Sequence, residues 1–94
     1  MQPSEYPSVA SFGNETTQDI TLYLEMLGEQ VVLAPGDCIE LLAAPDPDML
    51  PLTVLQVEGG LQIYPYKTFD PDWHVRFEGR IVRAGLPLRH VDAG

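Results

Sequence analysis

Apolar and polar residues alternate with a period of two along most of this chain, the mark of strands that bury one face. Ile20, Leu22, Leu24 and Met26 share one parity, and Thr21, Tyr23 and Glu25 take the other. Gly28-Glu29 then supplies a two-residue hairpin turn with glycine first. That turn pairs Met26 with Val31 and Leu24 with Leu33. Cross-strand partners share a face, so Leu22, Leu24, Met26, Val31 and Leu33 are expected to line one apolar surface.

The rest of the chain repeats the pattern in short pieces. Pro35-Gly36-Asp37 is a turn, because proline presets φ and glycine supplies a positive one. Residues 38–43 form a strand with Ile39 and Leu41 on one face, and 44–51 form a loop broken by three prolines. A strand over 52–57 meets a three-residue loop, Glu58-Gly59-Gly60, which sets Val57 against Leu61 and Leu55 against Ile63. Tyr64, Tyr66 and Gln62 fall on the opposite, outward face. Residues 67–72 form a second loop. A third hairpin, 73–77 with 80–84, turns at Glu78-Gly79 in a register that fits a two- or a three-residue loop equally. Residues 9–12 add a first strand. Seven or eight short strands without helical periodicity predict an all-β fold, a small antiparallel β-sandwich or partly open barrel. The length of 94 residues allows a single domain, with a core over about 8–85 and a loose C-terminal tail over 86–94.

Charge changes the picture more than composition does. The formal net charge is −9. All five cations (Lys67, Arg76, Arg80, Arg83, Arg89) lie after residue 66, whereas ten of the 14 acids lie before it. This balance argues against nucleic acid and anionic membranes as partners. Acids on solvated strand faces explain much of it as solubility. The complete lack of cations over the first 66 residues adds an expectation of an acidic surface that steers toward a basic protein. Glu15, Asp19, Glu25 and Glu29 are the acidic candidates for that surface. Met1–Tyr6 carries no Lys, Arg or apolar run, so no secretion signal is expected. A single cysteine suits a reducing compartment, and a cytoplasmic protein is expected.

Chemistry-bearing clusters are few. Asp70, Asp72 and His74 alternate, so in an extended segment all three point one way and can hold a divalent ion. Asp-Pro-Asp is also an ordinary turn former, and it recurs at Asp46-Pro47-Asp48 without histidine. His90 could join His74 only if the tail folded back. Cys38, flanked by Asp37 and Glu40, is expected to be a buried, inert thiol. No nucleophile–base pair, phosphate loop or cofactor motif is legible, so no enzyme and no cofactor are expected. Tyr64, Tyr66, Phe69 and Trp73 cluster beside Lys67. Tyr64, Tyr66 and Trp73 are therefore candidate anchors for a protein partner, the plainer alternative being a second patch of core.

Two resemblances follow. Leu33-Ala34-Pro35-Gly36-Asp37-Cys38-Ile39-Glu40 resembles the strand-turn-strand of cupin-type barrels, without their histidine–glutamate metal motif. Residues 12–42, through Asn14-Glu15-Thr16, Leu22-Tyr23-Leu24-Glu25, Gly28-Glu29 and Leu33-x-Pro-Gly-Asp37, are similar to small bacterial all-β proteins, some of which act as immunity proteins. That second resemblance implies a non-catalytic, acidic protein-binding module. The alternative is a cupin-like barrel binding a small molecule or divalent ion.

Overall fold

The computed structural model describes residues 1–89 as a sandwich of two four-stranded sheets. After a short 3-10 turn at Pro3–Glu5, the strands are β1 (Ser8–Gly13), β2 (Ile20–Leu24), β3 (Glu29–Leu33), β4 (Cys38–Leu42), β5 (Thr53–Val57), β6 (Gly60–Tyr64), β7 (His74–Phe77) and β8 (Arg80–Arg83). The first sheet runs β1-β4-β7-β8 and the second β3-β2-β6-β5. No closed barrel forms among the described residues. Between the sheets pack Leu22, Leu24, Val31, Leu33, Ile39, Leu41, Ile63, Trp73, Val75 and Phe77, all buried. Alternation did its work in β2, β3, β4, β6 and β7, which send Leu22, Val31, Ile39, Ile63 and Val75 inward.

Two hairpins adopt a register other than the one read from their turns. In the second sheet, β2 and β3 pair Leu24 with Glu29 and Leu22 with Val31. The connection is thus the four residues 25–28, not Gly28-Glu29. The cause lies outside the hairpin. The Glu25 N–H donates to Ile63 O at 2.9 Å, and its carbonyl accepts from Trp73 Nε1 at 2.7 Å. Both backbone groups of Glu25 are taken, the ladder with β3 stops at Leu24, and Met26 is expelled into solvent. The inward set otherwise keeps its parity, because the shift is by an even number of residues.

The β5–β6 register differs by one residue. Val57 pairs with Gly60 and Leu55 with Gln62, across a two-residue turn in which Gly59 takes φ +77°. Gly60 is a strand residue for a steric reason. It lies where β6 runs parallel to β2, opposite Thr21, and a Cβ there would sit 1.8 Å from the Thr21 carbonyl oxygen. A slip of one turns alternate residues over, so Leu55 faces outward instead of sharing a face with Ile63. This parallel pair is the one non-antiparallel ladder among the described residues, and nothing in the local pattern announced it.

The third hairpin resolves to a two-residue turn, with Phe77 opposite Arg80. The expected loose tail is corrected for residues 86–89. Leu88 is buried, its carbonyl accepts from Arg80 Nη2 at 3.0 Å, and Arg89 forms a bidentate pair with Asp37 while stacking over Phe77. Apolar contact and an ion pair to a turn hold what composition alone presented as a polar end.

Candidate protein-binding face

The loops sort to two ends of the sandwich. At one end the Trp73 indole reaches Glu25, joining the loops 25–28, 43–52 and 65–73; Tyr66 N–H and Lys67 N–H donate to Met49 O and Asp48 O across the last two. At the other end Asn14 Nδ2 donates to Leu33 O and Gln18 O, both at 2.8 Å, gathering the loop 14–19 and the turn 34–37. This arrangement divides the four acidic candidates. Glu15 and Asp19 lie at the Asn14 end, whereas Glu25 and Glu29 lie at the Trp73 end, separated by the length of β2, about 17 Å. Glu29 is half-buried, and burial raises its pKa against the opposing pull of Arg83. The four therefore form two pairs at opposite ends of β2.

The aromatic candidates also part company. Trp73 is 1% exposed and belongs to the core. An aromatic next to a loop reads as surface, but here three loops close over the indole and satisfy its N–H. Tyr64 lies on the outer face of the second sheet, as its parity implies. Tyr66 is 54% exposed and Phe69 81% exposed. With Met26, Asp48 and Lys67 they line a depression of about 530 Å³ at the Trp73 end, where Lys67 Nζ lies 5.0 Å from the Tyr66 ring centroid.

Asp70, Asp72 and His74 do not converge. Asp70 Oδ1 accepts from the Asp72 N–H, Asp72 Oδ2 accepts from the Tyr6 hydroxyl at 2.5 Å, and His74 Nδ1 is 2.8 Å from the Asp72 carbonyl oxygen. The Asp72 hydrogen bond also pushes the Tyr6 phenol above its ordinary pKa. Asp72 takes a positive φ of 48°, which breaks the extended geometry the alternation required. Among the described residues no three His, Cys, Asp or Glu side chains form a metal-holding group. His90 lies outside the described residues. Cys38, expected to be buried, is exposed beside Gly13.

The feature that sequence reasoning missed is the outer face of the second sheet. Leu22, Leu24 and Ile63 point inward, so the alternate positions point out. Across the four strands one row reads Gln30, Tyr23, Gln62, Leu55, and the next reads Val32, Thr21, Gly60, Val57. Tyr64 and Thr53 extend it. None of these ten residues is acidic or basic, in a chain that is 20% charged. Val32 and Leu55 are each 47% exposed. The outer face of the first sheet is the opposite case. It carries His74 and Arg83 as cross-strand partners, and Glu40 bonded to Arg76 at 2.9 Å. The charge-free face was hidden because it depends on the one-residue register of β5, which brings Leu55 and Val57 to the outside. No family model, curated protein or solved structure matches this chain.

Proposed function

We propose that the protein is a non-catalytic binding module that docks a partner protein on the outer face of its second sheet. The observation that carries the reading is that face: four strands wide, without a charge, and set with Tyr23, Tyr64, Val32 and Leu55. Interface centres are depleted of charged residues and enriched in tyrosine, while their rims stay polar. Here Glu25 stands at one end of the face, with Gln62 Nε2 3.3 Å from its Oε1, and Glu58 stands at the turn below. The overall charge of −9 favours a partner whose docking patch is ringed by Lys and Arg. Inhibition of such a partner, in the manner of an immunity protein, is the form the sequence resemblance suggests.

The test compares capture by the tagged protein with capture by Tyr23→Ala and by Tyr64→Ala, followed by titration of the purified complex. Truncating an interface anchor costs about 2 kcal/mol or more, roughly 30-fold in affinity. A basic protein bound by the wild type, weakened to that degree by either variant, supports the reading. Reversal of Glu25 should slow association in a salt-dependent way. A complex indifferent to both tyrosines would overturn it.

A further inference from the structure

We propose that a second copy of this chain pairs antiparallel with β5 about a two-fold axis at Leu55, joining two second sheets into one of eight strands. The inference is independent of the partner-binding reading, since it concerns the purified chain alone.

The backbone bonding fixes which groups β5 has free. Thr21 N–H donates to Gly59 O, and Glu25 N–H donates to Ile63 O. The odd-numbered residues of this stretch of β6 therefore turn their polar groups toward β2, and Gly60, Gln62 and Tyr64 turn theirs toward β5. Their partners Val57, Leu55 and Thr53 are satisfied in return. Val54 and Gln56 are left with N–H and C=O pointing away from the sheet. Placed against a second copy about Leu55, Val54 meets Gln56 of the other chain and Gln56 meets its Val54. Each of these pairs exchanges two hydrogen bonds, and the two Leu55 side chains face each other in the closer, non-bonded position. The strand is self-complementary in bonding as well as in shape.

Charge agrees with this register. β5 contains no ionisable side chain, and the alignment sets Glu58 opposite Leu52, so the two Glu58 carboxylates sit at opposite ends of the new pair. The other three edges carry the usual guards against such pairing. β1 has an irregular register between Ser8 and Ala10, β8 is bounded by the exposed Arg80 and Arg83, and residues 85–89 lie beside β3. Among the described residues, β5 has neither bulge, proline, lysine nor cover. A two-fold contact uses up the edge on both copies and closes. It also makes the charge-free outer faces continuous across the axis.

Sedimentation velocity from about 10 µM to about 1 mM spans the range in which so small an interface associates. The wild type should pass from the chain mass of 10.4 kDa to twice that mass. Val54→Pro removes an outward N–H that the monomer does not use, and should stay monomeric with unchanged far-UV circular dichroism. Leu55→Lys, which opposes two cations at the axis, should do the same. In a Cys38→Ser background, Leu55→Cys should form a disulfide-linked dimer with diamide as oxidant, because non-bonded antiparallel partners bring Cα atoms to about 4.5 Å. Val57→Cys, displaced from the axis, should not. A wild type that is monomeric throughout, or a dimer that survives both Val54→Pro and Leu55→Lys, would refute the pairing.

Discussion

Asn14 has all its side-chain bonding capacity in use while only 1% exposed. Its amide donates to Leu33 O and Gln18 O, and its Oδ1 accepts from the Thr16 N–H at 2.9 Å and the Thr16 hydroxyl at 2.7 Å. Replacing it strands the buried Leu33 carbonyl. Asn14→Ala is expected to lower unfolding free energy by about 2–3 kcal/mol, read from urea titration. Asn14→Asp should do no better, since a carboxylate cannot donate to either carbonyl. Gly60 is constrained by space rather than bonding. Gly60→Ala should cost several kcal/mol, on the order of a disrupted core position, because the clash is with backbone and no rotamer relieves it. Neither role was legible. In the sequence Asn14 is one polar residue among many in a turn, and Gly60 is the second of a Gly-Gly pair that suits a loop equally well. What identifies them is the strand that arrives from elsewhere.

At the scale of elements, the alternation was a reliable guide to strands and a poorer guide to their partners. Strand parity depends on which residues are apolar, so β2, β3, β4 and β7 could be read directly. Register depends on the turn, and the turn answers to tertiary contacts. Trp73 and Ile63 seize Glu25 and lengthen one loop, while Thr21 forces Gly60 into the ladder and shortens another. The third turn fits two or three residues equally in the sequence, and its geometry holds a testable strain. Glu78 and Gly79 take φ of 50° and 77°, both left-handed, where Asn-Gly is the favoured pair. Glu78→Asn should therefore raise stability by about 1 kcal/mol, seen as a higher melting temperature. Of the candidate site, the outward parity of Tyr64 and Gln62 was legible. The companionship of Leu55 and Val57 was not, because it rests on register.

At the scale of the molecule, two carboxylates pull stability in opposite directions with pH. The Arg89 guanidinium, helped by the Ala34 N–H and opposed by burial, holds the Asp37 carboxyl below its ordinary range. The folded state then binds this proton less tightly than the unfolded one. The contribution is fully present above the unfolded pKa and is lost as pH falls through the folded value. Asp37→Asn should lower the urea midpoint at pH 7, and its deficit should close in acid. Glu29 is raised instead, chiefly by burial, so its charged form disfavours folding at neutral pH. Glu29→Gln should stabilise at pH 7 and match the wild type once both states are protonated. The parallel ladder of β2 and β6 also governs the order of assembly. Hairpins β2–β3, β5–β6 and β7–β8 join near neighbours, but Thr21 meets Gly60 only after a loop of about 40 residues closes. That seam belongs late on the folding route. A chain emerging from the ribosome carries Leu22 and Leu24 without their β6 partners until β6 has been made, so synthesis rate and chaperone access bear most heavily on that interval.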